Sequence, residues 1–371
     1  MESALSASTE SAFESGEKFT AIWQSEPNGR DWPTYTWIQR IFQPYIGETI
    51  FDGKHQVVLD NAILFDAWVY ARDPGYYARF HGKNAFLVHP YDEFYDLGVD
   101  RYVNFRGVFR QEWSSVFNPR HVMVFPLGSF IEEPPAAVIP ASERRYAWSF
   151  VGDAGKSSRP DMVHAMSAIE PHICFSTTAV SGVTFFDRNC TGKKRIPRQD
   201  AFEILGQSVF APSPMGNANI ECERFYDALE VGAIPIVERH LTLDYYRQFL
   251  GDHPAPTVRS WSEARRLVNH LLKDPAKLDE LQRRCMEWWK DYKSELITRI
   301  GVFLEERSRA NDKLAPLQSR LPRLPMWQYA ELLRHHSLSA LCRRVTRQAK
   351  RAVHQRRWRV AITKQGDVGD V

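Results

Sequence analysis

The residues best placed to do chemistry lie in one stretch, from Val209 to Val237. Arg224 and Asp227 stand three apart there, a spacing that makes them neighbours on one helix face. A guanidinium presents a planar fork that pairs with a diphosphate. A carboxylate one turn further on can accept hydrogen bonds from ribose hydroxyls. Taken alone, such a pair is an ordinary surface ion pair. The surroundings argue for more. A buried strand at Val209–Ala211 runs into a loop carrying Pro214 and Gly216, and the loop feeds a helix expected over Glu221–Val231, with Asn219 as its N-cap. Gly232 ends the helix and a strand resumes at Ala233–Val237. Ligands of open parallel sheets bind beyond the carboxyl ends of the strands, and free N–H groups at a helix N-terminus favour phosphate there. Pro214, Gly216, Arg224 and Asp227 are therefore candidates for holding a phosphorylated ligand.

The elements that must position them alternate. Tyr146–Gly152 reads as a strand, Arg159–Ile169 as a helix, Ile173–Ser176 as a strand, Gln199–Leu205 as a helix and Ser208–Ala211 as a strand. After the Arg224 helix come further helices at Asp244–Leu250, Ser262–Leu272 and Pro275–Glu306. Such alternation argues for a parallel sheet covered on both faces. The first half carries strand-like runs at Gln56–Leu59, Ala62–Phe65, Ala85–His89 and His121–Phe125. The proline-rich run Ile131–Ser142 reads as a linker between the halves. The expected organisation is a disordered leader over 1–18, an acceptor-side Rossmann-like domain over 19–143, a nucleotide-sugar-binding Rossmann-like domain over 144–310 and a basic helical tail over 311–371.

The segment Arg224, Asp227-Ala228-Leu229, Gly232-Ala233-Ile234-Pro235-Ile236 resembles the exostosin family of glycosyltransferases, with Cys222 where many members have Ser and Ala233 where they have Cys. Earlier blocks are similar to the same family. Trp148-Ser-Phe-Val-Gly152 followed by Arg159 looks like the start of its donor domain, and Asp92-Glu93, Arg110 and Pro126-Leu-Gly128 resemble blocks of its first half. The resemblance implies an α/β fold of the GT-B type, two Rossmann-like domains facing a central cleft. It adds Gly152, Arg159 and Arg110 to the donor-binding candidates. No Asp-x-Asp occurs in the sequence, so no metal and no cofactor are expected. Charge on the leaving diphosphate would be met by Arg159, Arg224 and backbone N–H groups. Glu93 and Asp92 are the candidates for the base that deprotonates an acceptor hydroxyl; a solvated turn explains them equally well, and a packed histidine explains His89.

The leading expectation is a transferase moving a sugar from a UDP-sugar to a glycan or glycolipid hydroxyl, inverting and independent of metal. The alternatives are a fucosyltransferase-like enzyme using a GDP-sugar, which would usually place Glu-Lys in the donor helix, and a non-catalytic carbohydrate-binding protein with a decayed site. Gly152-Asp-Ala-Gly-Lys-Ser-Ser158 lacks the spacing of a Walker A loop, which excludes ATPase chemistry. Lys193-Lys-Arg195 reads as a solvated loop. The five cysteines show no CxxC pair, which points to a reducing compartment and a cytoplasmic chain; the Asn189-Cys190-Thr191 triplet carries little weight. The net charge is only +3, but nine Lys and Arg fall between Arg343 and Lys364, and no acid lies between Glu331 and Asp367. With Leu338, Leu341, Val345, Ala349, Ala352 and Val353 at helical steps, that tail suits either an anionic membrane surface or packing against the first half. No nucleic-acid module is recognisable in it.

Overall fold

A computed structural model of the chain describes residues 18–24, 35–69, 72–91, 98–114, 117–176, 196–216, 219–240, 244–310 and Pro316. The leader, Asp92 and Glu93, Lys193–Arg195, the sequon and the basic tail lie outside them.

The first half is a six-stranded, all-parallel sheet. Its strands are β1 (Phe19–Trp23), β2 (Ile46–Phe51), β3 (Ala62–Phe65), β4 (Ala85–His89), β5 (Gly107–Arg110) and β6 (Val122–Val124), in the order β2-β1-β3-β4-β5-β6. β3, β4 and β5 are buried along their whole length, as strands covered on both faces must be. Helix α1 (Tyr35–Phe42) and the short α2 (Pro74–Ala78) and α3 (Val99–Tyr102) complete this half.

The second half is a five-stranded parallel sheet of β7 (Tyr146–Gly152), β8 (His172–Ser176), β9 (Ser208–Ser213), β10 (Ile234–Glu238) and β11 (Thr257–Val258), in the order β11-β10-β9-β7-β8. Its helices are α4 (Arg159–Met166), α5 (Arg198–Gly206), α6 (Glu223–Glu230), α7 (Tyr245–Leu250), α8 (Trp261–Leu271) and the long α9 (Pro275–Arg309). The first sheet has the doubly wound order 2-1-3-4-5-6 and the second, counted from β7, the order 2-1-3-4-5, so each has a point where the chain reverses its direction of winding. In the second sheet that point lies between β7 and β9. The two-sheet α/β architecture expected from the sequence is the one observed.

Three local expectations need correction. Gln56–Leu59 is not a strand but an extended loop, held where the Val57 N–H donates to the Asp52 carboxylate at 2.8 Å. β1, β2, β5 and β11 are additional strands; β2 is an edge strand with a mostly exposed face, so its sequence carries no apolar run. Asn219 is not the N-cap of α6. Cys222 holds that position in extended conformation, and the Asn219 side-chain Oδ1 accepts instead from the Ile220 N–H at 2.7 Å.

The halves share one apolar core, and α9 threads it. Trp289 stacks on Trp37 of α1 at 5.5 Å between ring centroids, and Phe303 meets Phe109 of β5 at 5.0 Å. The Tyr45 hydroxyl donates to the Ile297 carbonyl at 2.6 Å, and Arg307 Nε donates to the Arg106 carbonyl at 2.9 Å. Trp289, Leu296, Ile300 and Leu304 are fully or almost fully buried, each contributing about 1.5–3 kcal/mol by removing apolar surface from water. Gly128 makes the close approach possible. Its φ is +73°, and a Cβ there would fall 2.1 Å from Trp37 Cδ1.

Candidate functional site

At the reversal point of the second sheet, β7 and β9 diverge toward α4 and α6. β7 ends at Gly152, whose φ of +155° and missing side chain admit the Arg224 guanidinium; a Cβ there would stand 2.9 Å from Arg224 Nη2. Arg224, in the first turn of α6, reaches back across the gap. Its Nη2 donates to the Val151 carbonyl at 2.8 Å, and its guanidinium lies 4.2 Å from the centroid of the Phe150 ring. Arg159, the first residue of α4, leans in from the other side. Its Nη1 donates to the Asp153 carbonyl at 2.9 Å and its Nε to the Met215 carbonyl at 3.3 Å. Pro214 and Met215 are buried in the β9–α6 loop, and Gly216 folds that loop tightly, since a Cβ there would lie 2.6 Å from the Glu221 carbonyl.

Arg159 and Arg224 thus line one cavity of about 230 Å³ with Phe130, Phe202, Glu223 and Asp227. Both guanidinium groups hydrogen-bond backbone carbonyls, and neither forms an ion pair with a carboxylate among the described residues. Burial, reinforced by the Arg224 charge, pushes Arg159 below the usual arginine range. Two guanidinium groups lining one cavity favour an anionic ligand there, with the Glu223 and Asp227 carboxylates of the same cavity acting against it. At Phe130 and Phe202 the cavity adjoins a groove of about 830 Å³ between α5 and the linker. Together they reach the upper end of the size range of ligand pockets, roughly 1,000 Å³.

Asp227 occupies a different role from the simple surface pair. It is buried, and its Oδ1 accepts from the Ser129 hydroxyl at 2.7 Å and the Phe130 N–H at 2.8 Å. Burial outweighs these bonds and raises its carboxyl to about 7. It therefore pins the linker to the cavity wall through one carboxylate oxygen.

Glu221, which the sequence placed in the helix, is instead a buried bolt between the halves. Oε1 accepts from the Leu127 N–H at 2.9 Å and the Tyr226 hydroxyl at 2.5 Å, and Oε2 accepts from the Tyr245 hydroxyl at 2.9 Å. The Tyr245 hydroxyl in turn accepts from the Trp113 N–H at 3.0 Å, and Asn219 donates to Glu112 of the first half. Burial raises the Glu221 carboxyl. Nothing local in the sequence marks this residue, because its partners come from positions 127, 226 and 245.

Gly152, Arg159, Pro214, Gly216, Arg224 and Asp227 are brought together. Arg110 does not join them. It ends β5 fully buried, with its guanidinium 4.2 Å from the Phe117 ring, Nε donating to the Gln111 carbonyl at 2.9 Å and Nη1 to the Tyr102 hydroxyl at 3.2 Å. His89 is a packed histidine. It is fully buried at the end of β4, 2.6 Å from the Tyr102 hydroxyl, and burial holds it well below the usual range, hence neutral. Among the described residues, no group of three or more His, Cys, Asp or Glu is arranged to hold a metal ion. No helix among them is long and apolar enough to cross a membrane.

Comparison with known proteins bears on the half that carries the arginine pair. A family model, the RXYLT1 C-terminal domain, matches residues 129–307. The mouse (Mus musculus) ribitol-5-phosphate xylosyltransferase 1 is 27% identical over 188 residues, which are 46% of this chain and 40% of that protein. The chain thus spans well under half the length of the curated relative it matches. Among solved structures, an α1,3-fucosyltransferase aligns with a TM-score of 0.45 at 10% identity, over 82% of this chain and 95% of that one. A DNA-modifying β-glucosyltransferase aligns with a TM-score of 0.48 at 12% identity, over 78% of this chain and 100% of that one. The second half of this chain, arginine pair included, is similar to the C-terminal domain of a glycosyltransferase.

Proposed function

We propose that the chain is a glycosyltransferase that moves a sugar from a nucleotide-sugar donor, a UDP-sugar, to a hydroxyl of a glycan or glycolipid acceptor. The observation that carries this reading is the Arg159–Arg224 pair, two cations without a carboxylate partner among the described residues, at the reversal point of the second sheet. Open α/β sheets bind phosphorylated ligands at that point. The donor diphosphate lies between the two guanidinium groups. As the bond from the anomeric carbon to the diphosphate oxygen breaks, the arginines take up the charge left on that oxygen. The acceptor oxygen attacks from the opposite face and its proton passes to a carboxylate of the first half, Glu93 or Asp92, giving inversion. The exostosin-like pattern from Arg224 to Ile236 supports the same reading, and the name of the mouse relative makes a xylosyl group the first sugar to try.

The test is transfer and nucleotide release by the full chain, across UDP-, GDP- and CMP-sugars, in buffer with EDTA. Turnover with a UDP-sugar in chelator is expected. Absence of turnover with every donor sinks the transferase reading, and activity that requires added manganese or magnesium sinks charge neutralisation by arginine. The basic tail brings the chain to the cytoplasmic membrane face. Sedimentation with anionic vesicles at low salt, and release near roughly 0.5 M salt, is the expected behaviour; a chain that ignores such vesicles does not use the tail this way.

A further inference from the structure

The run Gly152–Ser158 has the wrong spacing for a Walker A loop, yet the fold sets it where a phosphate loop belongs. It leaves β7 at the reversal point and enters the N-terminus of α4, an eight-residue helix. Ser157 has a φ of +53°, and Ser158 follows at φ −84°, ψ 4°. A left-handed residue followed by a right-handed one turns successive N–H groups toward one side, a shape that favours anions; the Arg159 N–H is already taken by the Lys156 carbonyl at 3.0 Å, so the backbone contributes less here than the side chains.

The two hydroxyls there are the sharper signal. Ser157 is 6% exposed and Ser158 is 0% exposed. Neither hydroxyl makes a hydrogen bond to another described residue. Ser158 is the N-cap residue of α4, the place where a serine ordinarily satisfies an N–H of the first turn, but its side chain makes no such bond. Buried hydroxyls without partners are uncommon because each weakens the fold. Two of them, adjacent, at a helix N-terminus and next to Arg159, are a donor set without an acceptor. The Arg159 guanidinium is drawn back onto the Asp153 and Met215 carbonyls and spans the loop.

We infer that Ser157 and Ser158, at the N-terminus of α4, form a phosphoryl subsite beside the arginine pair. That the phosphoryl group is one of the donor's two rests on the proposed function; that the loop holds a phosphoryl group does not. Both hydroxyls donate to anionic oxygens, and Arg159 turns from the loop carbonyls to the same group.

The experiment is calorimetric titration of the full chain with UDP, uridine and inorganic pyrophosphate, for wild type, Ser157→Gly and Ser158→Ala. Glycine tolerates the positive φ at position 157, so Ser157→Gly removes the hydroxyl without strain. Each variant is expected to weaken UDP and pyrophosphate roughly tenfold and to leave uridine unchanged. Without ligand, each is expected to melt at or above the wild-type temperature, because an unpartnered buried hydroxyl has gone. Unchanged affinities for UDP and pyrophosphate overturn the inference. So does a drop in melting temperature with equal losses for all three ligands, which would mark the serines as structural. If wild type binds pyrophosphate and not UDP, the donor reading fails, and the serine variants still decide the subsite.

Discussion

Truncating Arg224 to alanine separates what holds the fold from what holds the ligand. In the unliganded protein this side chain makes one hydrogen bond, 2.8 Å to the Val151 carbonyl, and lies 4.2 Å from the Phe150 ring. Losing both costs about 1–3 kcal/mol, and part of that returns because the Arg159 charge loses a like-charged neighbour. The variant should therefore fold, with a melting temperature a few degrees below wild type. With a diphosphate bound, the same truncation also removes a charge-assisted contact worth about 1.5–3 kcal/mol, which weakens UDP by roughly 10- to 150-fold. Uridine has no phosphate and should bind both proteins alike. Arg224→Lys keeps the charge but not the planar fork or the stacking, and should recover only part of the loss. Titration calorimetry with UDP and uridine reads all of this directly. If Arg224→Ala binds UDP as tightly as wild type does, the phosphates are not at this arginine and the reasoning is refuted.

The contribution of Asp227 to stability should fall as pH rises from about 4 to about 7, while the buried neutral His89 contributes the opposite trend. The buried Asp227 carboxyl holds its proton up to about 7 when folded, against 3.8 ordinarily, so the folded state binds more protons across that window. Relative to wild type, Asp227→Asn should gain stability between pH 5 and pH 8 in denaturant titrations, by about 1–3 kcal/mol, and should weaken UDP; an identical pH profile would remove Asp227 from the account. Gly128→Ala should cost about 3 kcal/mol or more, from a positive φ and a Cβ driven into Trp37; an unchanged denaturation midpoint would mean that the Trp37–Trp289 seam yields easily. Either Glu93→Gln or Asp92→Asn should reduce turnover by roughly 100-fold or more while donor affinity holds; full activity in both would put the base elsewhere.

What the sequence made legible follows from how far each signal reaches along the chain. β3, β4, β7, β9 and β10 are buried apolar runs bounded by turn residues, and a parallel strand covered on both faces leaves that imprint. The edge strand β2, Ile46-Gly-Glu-Thr-Ile-Phe51, leaves none, because most of it faces water. Gly216 and Arg224 could be singled out because a loop and a helix N-terminus are local features, whereas Gly152 and Arg159 were named through the exostosin resemblance. The Glu221 bolt was not, since an acid just before a helical run reads as a first-turn charge until Leu127 and Tyr245 are seen around it. Asp227 was named for a ribose and is also a pin for Ser129 and Phe130, nearly a hundred residues earlier. Arg110 matched a motif by position in the chain, but packing turned it onto Phe117. The helical run of α9 was plain, whereas its return onto the first half depends on where Trp37 and Phe109 stand in space.

The central claim is tested most directly by a crystal structure of the full chain grown with saturating UDP. The account predicts the diphosphate at the carboxyl ends of β7 and β9, with Arg159 released from the Asp153 carbonyl and both arginine guanidinium groups within hydrogen-bond reach of phosphate oxygens. A nucleotide seated anywhere else, or a diphosphate that touches neither arginine, would contradict it.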